Sequence, residues 1–226
     1  MGLWSSLTGK KSPPEVRELT HPSHLKVGDF IRFGFCAQSA LSNQSFEVVD
    51  VTGLEYATDY DEENDEYQTT CRHQFVLQGG TDEKLLLSVL KEGFTEALTI
   101  TRLFPAKTLV GSVLERQELS PALDPESDNG SALHCQIEST EDWLTDCYYR
   151  EGAFPAYSYA EDIRERDVND IDNVVEQQFF LFVSESREQM LDVFVYAGGR
   201  TEFYFGVRLP VEKIEDMWPA SQQKEE

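Results

Sequence analysis

Short runs of β-branched and aromatic residues recur along the first half of the chain, and turn-forming residues separate them. Within the third run, Cys71 and His73 alternate with polar positions, as in a strand with one apolar face. Gly79 and Gly80 then end that run. Five such runs predict one small antiparallel unit over 25–114, barrel-like or strongly curled. They cover 27–33, 46–51, 69–77, 85–90 and 97–104.

A second β region follows a stretch rich in turn residues. Proline, asparagine and glycine between 115 and 130 predict a domain boundary or a long loop there. The later run 179–183 is apolar throughout, which is typical of a strand buried on both faces. Four further runs complete a second antiparallel unit over 131–219, whose last hairpin turns through Gly198 and Gly199. These runs cover 131–138, 143–149, 190–196 and 201–209.

One stretch has the pattern of a helix. Ser158 and Glu161 have the spacing of a capping box, and an incomplete apolar stripe follows them. The stripe consists of Ile163, Ile171, Val174 and Val175. We therefore predict a helix over 158–178, and one or two final helical turns within 211–218.

Together these elements predict a mostly β protein of the α+β class. Two antiparallel, barrel-like or curled β units pack into one body with one main helix around 158–178. Residues 1–24 are expected to form an N-terminal tail and Pro-rich linker, because Pro13 and Pro14 interrupt any helix. Residues 220–226 are expected to form a polar C-terminal tail.

Charge narrows the classes of partner. The chain of 226 residues carries 42 acidic and 19 basic side chains, a formal net charge of -23. Such a charge repels phosphate backbones, so we expect no direct nucleic-acid binding. The excess is concentrated in 114–226, with 26 acids against 9 bases, compared with 16 against 10 in 1–113. A charge-steered partner is therefore expected to be a basic protein, and a solvated acidic surface is the alternative.

The four cysteines, at 36, 71, 135 and 147, stand too far apart for a C-x-x-C zinc or redox motif. The best metal candidates are Cys71, His73 and Cys135 together with His134, because sulfur and imidazole suit zinc. Strand alternation turns His134 away from Cys135 and makes Cys71 a core thiol. It makes His73 a satisfied, half-buried histidine. We therefore expect reduced thiols, no metal and no cofactor.

Local motifs for calcium binding and catalysis are incomplete or absent. The acidic segment 59–66 alternates carboxylates as a calcium loop does, but the sharp-turn glycine is missing and Thr70 stands at the twelfth position. A solvated loop between two strands is the favoured interpretation. The sequence also contains no phosphate loop, nucleophile elbow or H-E-x-x-H pattern. Enzymatic activity is disfavoured, and no catalytic residue is assigned.

The first residues offer one route to a membrane surface. Leu3, Trp4 and Leu7 share one face of a short amphipathic segment, and Gly2 stands in the M-G-x-x-x-[ST] pattern of lipid acceptors. The alternative is a frayed start with no role. No apolar run reaches the roughly 18 to 20 residues that span a bilayer, and no signal peptide is recognisable. We expect a cytoplasmic protein with peripheral contact at the inner membrane through these three residues.

Three segments resemble a bacterial family of YjfK-like proteins, a domain of unknown function. They are the opening MGLWSSLTGK before a Pro-rich linker, the segment 25–29, and the closing FFLFVS…LDVFVYAGG…EFYFGVRLP. Members of that family are often encoded beside phage-shock-protein-A-like membrane-remodelling proteins and polyamine-conjugating enzymes. The resemblance implies no catalytic residues. It implies a bacterial cytoplasmic accessory or adaptor protein in a membrane or envelope stress response.

Three functions are compatible with the sequence. The first is a non-enzymatic adaptor that binds a basic protein through acidic residues of the 158–176 stretch, namely Glu161, Asp162, Glu165, Asp170 and Asp172. The second is a ligand-binding or enzymatic β protein with a cleft between the two units, and the third is an acidic DNA mimic. A deep pocket with converging His, Cys or Arg side chains would favour the second function.

Overall fold

The computed structural model describes residues 17–61, 66–92, 95–127, 131–136, 142–164, 171–172 and 174–220. Eleven strands dominate it, with two short helices and two 3₁₀ turns at Pro22–His24 and Val211–Lys213. The helices are α1 (Ala106–Leu109) and α2 (Arg116–Ala122). The strands are β1 (Phe30–Phe33), β2 (Ser45–Asp61), β3 (Glu66–Gln78), β4 (Lys84–Glu92), β5 (Thr95–Phe104), β6 (Ala132–His134), β7 (Cys147–Tyr159), β8 (Val175–Val183), β9 (Gln189–Tyr196), β10 (Thr201–Pro210) and β11 (Ile214–Trp218).

Eight of these strands close into an antiparallel ring. Their order is β2, β3, β4, β5, β10, β9, β8 and β7, and β7 pairs back to β2. At the start of β2 the sheet continues outside the ring to β1 and β11, and at the start of β7 it continues to β6. The prediction of a mostly β, antiparallel protein is confirmed.

The two halves of the ring repeat one plan. Strands β2 to β5 form one four-stranded meander and β7 to β10 form the other, so each predicted unit supplies four strands. The meanders join through β2–β7 and through β5–β10. Each first strand has a bulge near its start, between Val48 and Asp50 in β2 and between Arg150 and Gly152 in β7. The two meanders are therefore related by a pseudo-two-fold arrangement, although their sequences show no residue-by-residue similarity.

A buried ion pair identifies the inner face of the ring. Arg72 lies on β3 and Asp192 on β9, and three strands separate β3 from β9 in either direction around the ring. Arg72 Nη1 nevertheless donates to Asp192 Oδ2 at 2.5 Å, and both side chains are 2% exposed. The two side chains therefore meet inside the ring, and alternation turns their strand neighbours outward.

Aromatic rings surround this ion pair inside the ring. Phe179 and Phe194 stack with centroids 5.1 Å apart, and the ring of Tyr56 meets Phe179 edge to face at 5.1 Å. The Arg72 guanidinium lies 5.4 Å from the centroid of Phe179. Such contacts between a cation and aromatic faces partly replace the hydration that the guanidinium loses on burial.

The outer face of each meander is apolar and is covered by elements that lie outside the ring. On the first meander the cover is β1, β11 and the 3₁₀ turn at Pro22–His24, and on the second it is α1, α2 and β6. The first outer cluster includes Ile31, Phe33, Phe75, Leu77, Leu87 and Ile100. The second includes Leu109, Leu133, Tyr148, Phe182, Val193 and Phe205. The predicted burial of 179–183 on both faces is thereby explained, because β8 lies between the ring interior and this cover.

The predicted helix over 158–178 is wrong at both ends. β7 runs to Tyr159 and β8 begins at Val175, while residues 165–170 and 173 lie outside the described residues. Ser158 pairs with Leu54 on one side and with Val175 on the other. Pairing with distant strands therefore outweighs the local capping-box pattern. The apolar stripe is used differently, because Ile163 and Ile171 pack with Tyr159.

Other boundaries also differ from the sequence prediction. The final helical turns predicted within 211–218 are one 3₁₀ turn followed by β11, since Met217 pairs with Ile31 on β1. The predicted loop at 115–130 contains α2. In the predicted tail, Arg17 donates to Asp29 and Leu19 packs on the first outer cluster.

The ion pair across the ring leads to a stability prediction. Arg72→Met or Asp192→Leu alone should lower the free energy of unfolding by about 3 to 5 kcal/mol, because each leaves an uncompensated buried charge. The double variant should recover most of that loss, because apolar side chains of similar volume replace both charges. Urea unfolding of the four proteins measures the coupling. A double variant as unstable as the sum of the single variants would contradict the pairing.

Candidate functional site

The ring wall has an opening between β3 and β4. Among the described residues, their pairing runs only from Phe75 opposite Leu87 to Gln78 opposite Lys84. Continuing that register would place Arg72 opposite Leu90, but there β3 pairs only with β2 and β4 only with β5. The corresponding strands of the other half, β8 and β9, are paired over seven positions. The opening therefore breaks the pseudo-two-fold arrangement.

A cleft of about 470 Å³ passes through this opening. Its mouth is lined by side chains on the outer face of the ring and on the neighbouring 3₁₀ turn, and its inner part by side chains of the ring interior. The mouth residues are Ser23, Cys71, His73, Phe75, Val89 and Lys91. The inner residues are Tyr56, Thr70, Arg72, Leu90, Leu181 and Arg208. Glu151, the bulge residue of β7, completes the wall.

Arg164 fixes the 3₁₀ turn at one side of the cleft mouth. Its Nη1 donates to the carbonyl oxygens of Ser23 at 2.7 Å and of Leu25 at 2.8 Å. The guanidinium also lies 5.1 Å from the ring centroid of Phe75. Asp162 fixes the same guanidinium, since its Oδ1 accepts from Arg164 Nε at 2.8 Å. This bond lowers the pKa of Asp162, against the opposing effect of burial.

Polar atoms at both ends of the wall lack hydrogen-bond partners among the described residues. They include Arg72 Nε, on the inner wall, and His73 Nδ1, at the mouth. Asp192 Oδ1, beside Arg72, is likewise unpartnered. A buried polar atom without a partner costs about 1 to 3 kcal/mol, so such atoms are normally met by water or a ligand.

The protonation states of the mouth residues argue against nucleophilic chemistry. Burial and the nearby charge of Arg164 lower the pKa of His73, so its imidazole is neutral at pH 7. Burial and the Glu55 carboxylate raise the pKa of Cys71, so its thiol stays protonated. A reactive cysteine needs a thiolate stabilised by a cation, and this pair provides the opposite. Burial also raises the pKa of Asp192, although Arg72 and Arg208 oppose that effect.

A second, wider cavity of about 920 Å³ lies beside the first. Charged groups of both signs line it, and several bond to one another or to nearby residues. Arg17 bonds to Asp29, and Arg164 bonds to Asp162. Two of its lining residues, Arg17 and Arg164, each stand at the end of a described range. The cleft at the β3–β4 opening is therefore the better defined site.

The metal candidates do not come together. Cys71 and His73 are at the cleft mouth, whereas His134 and Cys135 belong to β6 and its extension in the other half. His134 Nδ1 lies 2.9 Å from Glu118 Oε1, and the exposed His134 points away from the buried Cys135, as alternation predicted. The prediction that Cys71 is a core thiol is wrong, because β3 pairs only with β2 at that position and Cys71 is exposed. His73 is half-buried but not satisfied. Among the described residues, no three His, Cys, Asp or Glu side chains are grouped as metal ligands.

The residues predicted for partner and membrane contact are only partly described. Glu161 and Asp162 line the wider cavity, and Asp172 is exposed. Leu3, Trp4, Leu7, Glu165 and Asp170 lie outside the described residues, as do positions 62–65 of the acidic segment. The described part of that segment extends β2 and β3.

Sequence reasoning missed the residues that build the cleft. The available signal was Asp192, the one charged residue in the otherwise apolar run 190–196, whereas Arg72 stands among the polar residues of 69–77. Charged side chains are almost never fully buried unless they are paired, so Asp192 indicates a basic partner inside the fold. Which strands carry the partners depends on ring closure, which no local pattern shows.

The fold and the cleft define a closed ring of eight antiparallel strands with a side entrance to its interior. No family model matches the chain, and neither a curated protein nor a solved structure matches it. Within the described part of the chain, no helix has the length and apolar character needed to cross a membrane.

Cysteine accessibility gives a direct prediction for the mouth of the cleft. Iodoacetamide should modify Cys71 first and Cys147 more slowly, while Cys36 and Cys135 should react only after unfolding. Burial raises the pKa of Cys135 to about 12, which suppresses its thiolate. Peptide mass spectrometry over time gives the order, and the reaction in denaturant is the control in which all four thiols react. Labelling of Cys135 as fast as Cys71 would contradict the structure.

Proposed function

We propose that this protein is a non-enzymatic binding protein that holds a small organic molecule in the β3–β4 cleft. The observation that carries the proposal is the opening in the ring wall, which leads from exposed Cys71 to buried Arg72. Ligand pockets typically enclose about 300 to 1,000 Å³ and combine apolar walls with a few convergent polar groups. The cleft, with its volume of about 470 Å³, matches that description.

The composition of the cleft wall supports this function over an adaptor role. One cleft brings together Arg72, Arg208, His73 and Cys71. Converging His, Cys and Arg side chains in a pocket are expected of a ligand-binding protein rather than an adaptor. The cleft lies within the first predicted unit, and Leu181 and Arg208 of the second unit form part of its inner wall. The protonated thiol and neutral imidazole support binding rather than nucleophilic catalysis.

Three probes of equal size and different charge test this function. They are 4-phenylbutyrate, 4-phenylbutyramide and 4-phenylbutylammonium, titrated into labelled protein and followed by NMR. At least one should shift the amide signals of Val89, Leu90 and Leu181, which line the cleft. Thr70→Trp should abolish that binding, because Thr70 lines the cleft and a Trp side chain would fill it.

Thr69→Trp is the matched control. Thr69 is the preceding residue on β3, is exposed, and does not line the cleft. Binding should survive in this variant. If none of the three probes shifts cleft signals, or if Thr69→Trp blocks binding as strongly as Thr70→Trp, the proposed function is wrong.

A second candidate function, docking of a basic protein, is favoured by the net charge of -23. In this function the chain is a cytoplasmic adaptor, and exposed carboxylates steer the partner. Asp162 is a poor contact residue because Arg164 occupies its carboxylate. Among the described residues of this stretch, Asp172 is exposed and Glu161 is partly exposed, so these two carboxylates are the ones to test.

Salt dependence tests this second function with an oligolysine peptide as the probe. The association rate should fall steeply from low to high salt, because exposed charges are screened beyond about 8 Å at physiological ionic strength. Glu161→Gln with Asp172→Asn should slow association while changing stability by no more than about 0.5 kcal/mol. Glu47→Gln with Asp82→Asn, two exposed acids of the first half, is the control and should leave the rate nearly unchanged. Association that ignores salt and both pairs of substitutions would refute acidic docking. DNA mimicry would need a nucleic-acid-binding protein as the partner, with duplex DNA competing for that protein.

A further inference from the structure

Asp192 and Tyr56 occupy part of the Arg72 guanidinium, and one of its nitrogens has no partner among the described residues. Nη1 donates to Asp192 Oδ2 at 2.5 Å, whereas Nε has no hydrogen-bond partner among the described residues. The side chain is 2% exposed and lines the inner wall of the cleft. A guanidinium presents its N–H groups in a planar fork that matches a carboxylate. An oxygen acceptor that enters the cleft can therefore satisfy Nε.

Charges along the cleft favour an anionic acceptor. Three cationic side chains line it, Arg72, Arg208 and Lys91. The carboxylate of the lining residue Glu151 accepts from Arg187, with Nη2 and Oε2 3.1 Å apart. Lys91 is 75% exposed at the mouth and pairs with Glu96 at 3.4 Å. The lining thus holds three basic side chains and one acidic side chain, whereas Asp192 and Glu96, which pair with Arg72 and Lys91, are not part of the lining.

The rest of the inner wall is apolar or aromatic. Tyr56 and Leu181 face the same cavity as Arg72, and Leu90 lies on the opposite side of the opening. A phosphate group would need several donors at the inner end. It also carries more charge than the single unpartnered N–H at Arg72 Nε can balance. A carboxylate has one charge, and an apolar body attached to it can contact these walls.

We propose that the cleft binds a small organic carboxylate, whose oxygen accepts from Arg72 Nε and whose apolar body lies between Tyr56, Leu90 and Leu181. This inference rests on the proposed function, because it names the ligand class of the same cleft. Asp192 acts as a positioning residue, because its Oδ2 holds Nη1 of the same guanidinium.

Comparison of the three phenylbutyl probes tests the ligand class. The carboxylate should bind at least about tenfold more tightly than the amide, because a hydrogen bond between two charged groups contributes about 1.5 to 3 kcal/mol. The ammonium should bind weakest. Arg72→Met with Asp192→Leu should remove the preference, so that the carboxylate binds no more tightly than the amide.

Arg72→Lys provides a second variant if the double variant does not fold. It keeps the charge beside Asp192 and removes Nε, so the preference for the carboxylate should shrink. Arg32→Gln is the control, because Arg32 is an exposed arginine on β1 that pairs with Glu215 at 3.0 Å, away from the cleft. The preference should persist in that variant.

The outcomes separate this inference from the proposed function. If no probe binds in the cleft, both fail. If the amide or the ammonium binds there as tightly as the carboxylate, the binding function stands and the carboxylate inference is overturned. A preference for the carboxylate that survives both Arg72 variants would also overturn it, because Arg72 would not be the group that recognises the anion.

Discussion

The ion pair between Arg72 and Asp192 is the constraint around which the ring is arranged. Two charges taken out of water are tolerated only when they meet with good geometry, so β3 and β9 must face each other across the interior. The aromatic side chains of Tyr56, Phe179 and Phe194 complete that interior. Because side chains alternate between the two faces of each strand, the other apolar side chains face outward and must be shielded from water by further elements. β1 with β11 and α1 with α2 and β6 provide it on the two meanders.

The cleft follows from a difference between two halves that otherwise share one plan. β8 and β9 are paired over seven positions, whereas β3 pairs with β4 only from Phe75 to Gln78, so Arg72 lies before that pairing begins. The buried charge therefore lies beside the gap between β3 and β4. Arg72 is thus fixed by Asp192 and lines a cleft that is open to the outside, and a fixed polar group beside an entrance is what the proposed binding site requires.

Local patterns predicted most strands but little of their assembly. Apolar runs located β3, β4, β5, β8, β9 and β10 to within a few residues, because side-chain alternation and turn glycines are local signals. The helix predicted over 158–178 is wrong because Ser158 lies in a strand. It pairs with Val175 on one side and, on the other, with Leu54, about a hundred residues earlier in the chain. The same long-range pairing closes the ring and creates the cleft. Two candidate residues chosen from the sequence, Cys71 and His73, lie at the mouth of the cleft. Arg72 was not predicted, because its role depends on Asp192 across the ring.

A crystal structure of the protein with 4-phenylbutyrate tests the central claim most directly, because it shows both the gap and its occupant. The account predicts unpaired β3 and β4 backbones beside Arg72, with a carboxylate oxygen of the probe within hydrogen-bonding distance of Arg72 Nε and its phenyl ring near Leu181. Continuous pairing of β3 with β4 along their length, or a probe bound only outside the ring, would contradict it.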